Sequence, residues 1–336
     1  MSVIDIRQVL GSGDEVPSPR PIHRRPNGVD RWVFRGGVRA VAVSTLVLLA
    51  LIGFFLFWKG WPAFRSQGLH FFSNTGFQTK ATKVSPPVFG IRSAFTGTVV
   101  TSVIAMVLGV PVALAAALFI SEYAPTKLRP PATSLIDLLA AVPSVIYGLW
   151  GFLVLEPHMV GVSRWLATHV GFVPFFHTNT SLLTSSQFIV GTVLGLMIVP
   201  IVASIAREVF SLTPTAEREA ALALGASRAT VIRRVVLPFA RGGLIGAIML
   251  GLGRAMGEAI AVSIILSLNF GNPYHILQVG GSTIASLIAI RFDSGGQLGA
   301  AALLAAGFSL FVFTLIVNAG ASFVVKRSRS AAATEL

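Results

Sequence analysis

Cysteine is absent from this chain of 336 residues, and its six histidines include no pair spaced four residues apart. The missing thiols exclude disulfides, thiolate metal sites and a cysteine nucleophile. Charged residues make up only 12% of the chain, and no Gly-x-x-x-x-Gly-Lys-[Ser/Thr] loop is present to hold a nucleotide. We therefore expect no redox chemistry, no metal site, no cofactor and no enzymatic step in this chain itself.

Apolar residues dominate the composition, at 54% of the chain, and the mean hydropathy is +0.78. A soluble core of this size cannot hide so much apolar surface, so the solvent for most of the chain is lipid. The formal charge of +13 would suit a nucleic-acid partner, but the Lys and Arg residues lie mainly between apolar runs. That pattern is typical of membrane proteins and argues against nucleic acid.

The apolar runs predict an all-α integral membrane protein with six transmembrane helices, since each crossing needs about 20 apolar residues. Their bounds are Val41–Trp58, Thr98–Ile120, Leu135–Leu155, Phe188–Ala206, Leu244–Leu268 and Leu298–Val325. A seventh stretch, Ile276–Ile290, is interrupted by polar residues and glycines. We expect it to be a short re-entrant or interfacial segment.

The distribution of basic residues predicts the orientation of these helices. With the N-terminus inside, the cytoplasmic segments hold 18 Lys and Arg residues and the external segments hold 7, and cytoplasmic loops are normally the richer ones. Both termini of this multi-pass protein are therefore expected in the cytoplasm, although the basic residues between Lys59 and Arg92 oppose this orientation. Four segments follow: a basic, disordered tail over 1–40, the first helix and an external loop over 41–94, the main transmembrane domain over 95–325 and a short tail over 326–336.

The loop between the fourth and fifth runs carries the most specific pattern in the sequence. A Glu-Ala-Ala triplet is followed after three residues by glycine, and after nine more by Val-Val-Leu-Pro. This pattern resembles the EAA signature of ABC-importer permeases and departs from it only at Val235, where the signature has isoleucine. The residues that the resemblance assigns to coupling with an ATPase are Glu219, Ala220, Ala221, Gly225, Leu237 and Pro238.

The same loop predicts a helical elbow on physical grounds. Pro214 and Thr215 can start a helix, Glu217 lies in its first turn where the helix dipole favours anions, and Gly225 can end it with a left-handed cap. We call residues 214–238 the elbow. A rigid helix–turn–helix exposed on one membrane face would fit a groove of a partner protein, whereas an ordinary amphipathic connector is the alternative.

Charged and polar residues within the apolar runs are candidates for a substrate pathway. Arg254 and Glu258 are four residues apart, so on one helix they would share a face and partly neutralise each other. They are either a structural pair or the lining of a pathway in which arginine binds an oxyanion. Asp137, Ser144 and Tyr147, close to Pro143 in the third run, are weaker candidates, and Asp137 is equally suited to a water interface.

The run Leu237–Glu258 and the segment Ala141–Gly151 resemble the PstC family of phosphate-specific permeases in binding-protein-dependent ABC importers, which are proteins of the bacterial inner membrane. Together with the elbow, the likeness covers residues 95–325. It implies the type I ABC-importer permease fold, a second PstA-like permease, a PstB-like ATPase dimer that binds ATP and Mg²⁺, and an external PstS-like phosphate-binding protein. It also implies transport by alternating access.

Other functions remain compatible with parts of the sequence. The elbow pattern alone does not separate a phosphate permease from the sister PstA subunit or from permeases for molybdate, sulfate or phosphonate. A channel belongs to a different class and would need no ATPase-docking elbow. An integral-membrane enzyme would need converging catalytic groups, and the sequence offers no His-rich or paired-acid motif.

Overall fold

The computed structural model describes residues 28–78, 88–270, 274–294 and 296–333, and divides the chain into two compact units, Met1–Ile52 and Gly53–Leu336. Within the described residues the elements are α1 (Gly28–Gln67), α2 (His70–Ser73), β1 (Phe77–Gln78), β2 (Val88–Phe89), α3 (Arg92–Leu118), α4 (Arg129–Ala141), α5 (Ser144–Trp150), α6 (Glu156–His169), α7 (Gln187–Ser211), α8 (Thr215–Ala223), α9 (Arg228–Val231), α10 (Leu237–Gly257), α11 (Ile260–Ile265), α12 (Ile284–Arg291) and α13 (Gly296–Ala333). Three π-helical turns, Phe119–Tyr123, Gly151–Leu155 and Ile232–Val236, join neighbouring helices. The strands β1 and β2 pair antiparallel as a minimal hairpin.

Six helices in the described part of the chain are long and apolar enough to cross a membrane, which confirms the predicted all-α membrane fold. Their bounds are Gly36–Gln67, Arg92–Tyr123, Ser144–His169, Gln187–Ser211, Arg228–Gly257 and Gly296–Phe323. The first helix is described from Gly28, inside the tail that was predicted to be disordered. The rest of the predicted tail, residues 1–27, lies outside the described residues.

The third span differs from the prediction of one helix over Leu135–Leu155. Val142 and Pro143 have extended backbone, so the chain forms α4, a break and then α5. Side chains nevertheless tie both ends of this stretch to α7: Ser204 donates to Asp137 at 3.1 Å, and the Ser185 amide donates to Glu156 at 3.1 Å. Ser185 lies two residues before α7, and Ser204 lies about 26 Å from the first residue of that helix at the helical rise. The chain from α4 to the start of α6 therefore runs antiparallel to α7 over nearly a bilayer thickness.

The fifth span is shifted relative to the predicted Leu244–Leu268. It begins in the elbow at Arg228 and ends at Gly257, and Glu258 has extended backbone before the short helix α11 begins. The predicted continuous helix through residue 268 is therefore wrong. The segment Ile276–Ile290 is not a crossing: its first half packs beside the start of α7, where the Phe188 amide donates to Ile276 at 3.0 Å, and α12 has only eight residues.

The main core lies between α3, α7 and α10. Buried apolar residues from these helices form one contiguous cluster that includes Ala105, Leu194 and Ala247. Small residues allow α3 and α7 to approach closely: a Cβ on Gly109 would come within 2.6 Å of the Gly195 carbonyl oxygen. Such close backbone contact is typical of helices packed in lipid, and it makes α3 and α7 a rigid pair.

Candidate coupling elbow and membrane cavity

The elbow forms the predicted helix and turn. Pro214 precedes α8 with extended backbone, Glu217 lies in the first turn, and no residue of α8 is fully buried. Glu219 and Ala220 are exposed, whereas Ala221 is half-buried against the main core. The helix therefore packs weakly on one side and presents its acidic and small residues outward.

Gly225 ends α8 in a Schellman motif. Its φ is +81°, a left-handed conformation that favours glycine. The Gly225 amide donates to the Leu222 carbonyl at 2.9 Å, and the Ala226 amide donates to the Ala221 carbonyl at 3.1 Å. These two bonds are the paired bonds of that motif, so the predicted cap is confirmed. No atom of the described chain lies within 4 Å of a Cβ built on Gly225, so a side chain there would meet strain but no clash within this chain.

The second half of the elbow continues directly into the fifth span. The Ser227 side chain caps α9 by accepting from the Thr230 amide at 3.3 Å. After the π-helical turn, the helix continues without a break as α10 from Leu237, with Pro238 as its second residue. Leu237 packs against the main core. The elbow is therefore continuous with the fifth span.

Arg218 joins the elbow to two membrane helices. Its Nη1 atom lies 2.9 Å from Oε1 and 3.1 Å from Oε2 of Glu122, in the π-helical turn that ends the second span. Its Nη2 atom donates to the carbonyl of Phe210, in the last turn of α7. Sequence reasoning missed this pair because 96 residues separate the two side chains and a single sequence does not pair them.

Arg254 lies in the last turn of α10, and its buried Nε atom has no hydrogen-bond partner among the described residues. The side chain lines a cavity of about 590 Å³ together with residues of α7, α10 and α13: Ile201, Gly246, Met249, Leu250, Gly253 and Asn318. The glycines leave room for a small ligand, and the arginine supplies donors. The cavity is open, since Gly246, Leu250, Gly253 and Asn318 are exposed, and it combines a fixed positive charge with space between α7, α10 and α13.

Asn318 is a polar residue that sequence reasoning missed. It is exposed and lines the cavity from α13, within the span Gly296–Phe323, which carries no charged residue. An amide side chain in a membrane helix is unfavourable unless it finds a polar partner or water. An asparagine within a membrane span was therefore the signal that the sequence offered. Its amide group can donate to an anion held by Arg254.

Glu258 does not form the expected pair with Arg254. Because α10 ends at Gly257, the two residues do not share one helix face, and no ion pair between them is found among the described residues. Glu258 Oε1 instead accepts from the Ala261 amide at 3.3 Å and caps the start of α11. The observed role of this carboxylate is to hold the break between α10 and α11.

Ser144 and Tyr147 lie at the break after Pro143. Ser144 is the first residue of α5, and the Tyr147 hydroxyl donates to the Leu139 carbonyl of α4 at 2.9 Å, so it bridges the two helices. No hydrogen bond of the Ser144 side chain is found in the described part of the chain.

Asp137 belongs to a different environment from Arg254. Besides its bond to Ser204, it lies 4.0 Å from Arg207 of α7, near the end of that helix that leads into the elbow. Its side chain is about half exposed. These contacts attach α4 to α7 and favour the interfacial interpretation of Asp137.

A second cavity, of about 600 Å³, is lined mainly by aromatic and aliphatic side chains such as Phe57, Trp61 and Phe308. Arg92 is the single charged residue among the described residues that line it, and this guanidinium donates to the Tyr274 hydroxyl at 3.0 Å. The apolar walls offer little to a hydrophilic solute. The cavity beside Arg254 is therefore the better candidate for an anion.

Comparisons with known proteins agree with this architecture. Residues 109–330 match the family model described as binding-protein-dependent transport system inner membrane component. A Mycobacterium bovis protein named phosphate transport system permease protein PstC 2 is 41% identical over 308 residues, which cover 91% of this chain and 94% of that protein. The PstC proteins of Mycobacterium leprae and Xylella fastidiosa are 44% and 38% identical, over 79% and 85% of this chain and 83% and 87% of their own lengths.

Solved structures share the fold. A chain of a bacterial alginate ABC transporter, solved with an alginate pentasaccharide-bound periplasmic protein, superposes with a TM-score of 0.56 at 18% identity. The match covers 88% of this chain and 96% of that chain. At this identity the likeness concerns the type I importer fold alone. The chain belongs to the family of binding-protein-dependent transport system inner membrane components and, within it, to the PstC permeases.

Proposed function

We propose that this chain is the permease subunit of an ATP-driven importer that moves inorganic phosphate across the inner membrane by alternating access. The observation that carries the substrate assignment is Arg254, whose permanently charged guanidinium lines a cavity between membrane helices and has no ion pair among the described residues. Phosphate presents oxygens that a guanidinium binds through two parallel hydrogen bonds. The names of the PstC relatives support the same substrate.

The exposed face of α8 is the docking site for the ATPase subunit in this proposal. Glu219, Ala220 and the tight turn at Gly225 enter a groove on that subunit, which binds ATP and Mg²⁺. Closure of an ATPase dimer moves the elbow, and the elbow moves α10 with Arg254. A PstA-like permease completes the pathway, and a PstS-like protein delivers phosphate from outside.

The excess of basic residues in the predicted cytoplasmic segments supports an orientation with both termini in the cytoplasm. The elbow then faces the cytoplasm, where ATP is available. The opposite end of the bundle, near Ser185 and Glu156, faces the binding protein.

Reconstitution tests the transport class directly. Vesicles that contain this chain, its sister permease and the ATPase subunit should accumulate labelled phosphate only when ATP and the binding protein are both supplied. Uptake that is independent of ATP would identify a channel and would contradict the proposal.

A further inference from the structure

We propose that Arg218 and Glu122 form a clamp through which the elbow moves the second and fourth membrane spans. This inference rests on the proposed function only in that an ATPase subunit docks on α8. It assigns a positioning role to two residues outside the six elbow residues that match the EAA signature. The evidence is the contact of one guanidinium with two membrane helices.

Arg218 donates one hydrogen bond to Glu122 Oε2 and one to the Phe210 carbonyl. Its contact with Glu122 Oε1 is an ion pair without hydrogen-bond geometry, and its buried Nε has no partner among the described residues. One amino group meets both oxygens of Glu122 at 2.9 and 3.1 Å, and the other donates to the Phe210 carbonyl. The side chains of Arg218 and Glu122 are only 22% and 13% exposed. Charged hydrogen bonds shielded from water are stronger than surface ion pairs, and loss of one partner leaves the other charge uncompensated.

The rest of α8 offers little other attachment. No residue of α8 is fully buried, and Ala221 is half-buried against the core. Without Arg218, the helix would be fastened mainly by its two chain ends and this small side chain. A force on its exposed face would then tilt α8 instead of moving the spans beneath it.

The clamp reaches the Arg254 cavity through α7. Phe210 is fully buried near the end of α7, and Ile201 of the same helix lines the cavity. The adjacent Val202 packs so closely on α10 that a Cβ on Gly251 would come within 2.7 Å of it. Glu122 meanwhile ends the span that contains α3, which packs tightly on α7. One side chain therefore connects the docking surface to two walls of the bundle.

The absence of cysteine from the chain permits a direct test of movement. Ile201→Cys places one thiol on the cavity wall, and its labelling by a membrane-impermeant maleimide is measured in the complex with its ATPase subunit. Addition of a non-hydrolysable ATP analogue should change the labelling rate by about fivefold or more, the usual range of coupling between sites. In the Arg218→Gln background the rate should be nearly insensitive to the nucleotide while the ATPase subunit stays bound.

Three comparisons make the result specific. Glu122→Gln should have the same effect as Arg218→Gln, and the double variant should lose no more than either single variant, because the two residues act as a unit. Lys127→Gln removes an exposed positive charge five positions from Glu122 and should leave the nucleotide response intact. Arg218→Lys keeps the charge but cannot serve Glu122 and Phe210 together, so its response should be intermediate.

The clamp is refuted if the nucleotide response survives in Arg218→Gln and Glu122→Gln, or if their effects simply add. It is also refuted if neither variant retains the ATPase subunit, because the pair would then be needed for assembly and not for transmission. The readout involves no phosphate. An absence of phosphate uptake by the parent complex would therefore count against the proposed substrate and leave the clamp to be judged by labelling.

Discussion

Arg254 lies in the last turn of α10 and lines the cavity, and its buried Nε atom lacks a hydrogen-bond partner in the described structure. Charged residues within membrane spans are costly and normally face a partner or a water-filled cavity. Such a cost is consistent with a role in binding. Arg254→Gln should abolish phosphate uptake while the complex is assembled at normal yield, and Arg254→Lys should retain part of the uptake because it keeps the charge without the planar fork.

The initial uptake rate and the yield of purified complex are measured for each variant. Asn318→Leu should lower uptake about tenfold, the value of one hydrogen bond to a charged group, whereas Ser322→Ala one turn further along α13 should have little effect. Normal uptake by an assembled Arg254→Gln complex would show that this residue is outside the pathway.

Two substitutions of Glu258 separate its capping role at α11 from a role as counter-charge to Arg254. Glu258→Gln keeps an oxygen that can accept from the Ala261 amide, so uptake should remain close to normal. Glu258→Ala removes the acceptor and should destabilise the start of α11 by about 1 kcal/mol, as for other lost caps. Uptake and thermal stability of both variants are compared, and a Gln variant as defective as the Ala variant would restore the counter-charge hypothesis.

Gly225 forms the left-handed turn that ends α8 in the elbow. Its left-handed φ of +81° would cost a residue with a Cβ about 1 to 2 kcal/mol, so Gly225→Asp and Gly225→Ala should weaken the turn and lower ATP-driven uptake. Asn tolerates this conformation better, and Gly225→Asn should be the mildest change. Membrane insertion should survive in all three.

Gly161→Ala is the matched control because Gly161 lies in the regular helix α6 with no atom within 4 Å of an added Cβ. This change should leave stability equal or slightly increased. If Gly225→Asp supports wild-type uptake with the ATPase subunit fully bound, the docking role of the turn is wrong.

Elements were predictable wherever local chemistry determines them. Apolar length identified six spans, and Pro214 with Gly225 marked both ends of α8, because a fixed φ and a left-handed φ are properties of single residues. The break at Val142–Pro143 had a local signal, because Pro143 interrupts helices and favours extended backbone in the residue before it, although the run was drawn as one span. The break at Glu258–Ala259 was not predicted, because hydropathy is the same for a straight helix and a broken one, and the group that satisfies the broken end is Glu258 itself after folding.

At the scale of the whole molecule, the orientation of the bundle can be measured independently of transport. A reporter fused after Leu336 should read cytoplasmic, because the predicted inner segments hold 18 of the Lys and Arg residues against 7 in the outer segments. A second reporter inserted after Phe175, in the turn between α6 and α7, should read external. The opposite pair of results would place the elbow outside the cell and contradict ATPase docking.

The residues of the proposed pathway and of the proposed clamp were only partly visible in the sequence. Arg254 was identifiable because a charge stands out in an apolar run. Asn318 and the Arg218–Glu122 pair became visible only when α13, the elbow and the second span were brought together by the fold. Asp137 shows the converse, since a lone acid in the same region proved to be attached to Ser204 and Arg207.

The assignment of phosphate as the substrate is tested most directly by the selectivity of ATP-driven uptake in the reconstituted complex. Vesicles loaded with ATP are given labelled phosphate, sulfate or molybdate, each at the same concentration and with the binding protein present. We expect the vesicles to accumulate phosphate, and excess unlabelled sulfate or molybdate should not inhibit this uptake. The Arg254→Gln complex should lose the accumulation. Accumulation of sulfate or molybdate in preference to phosphate would contradict the assignment.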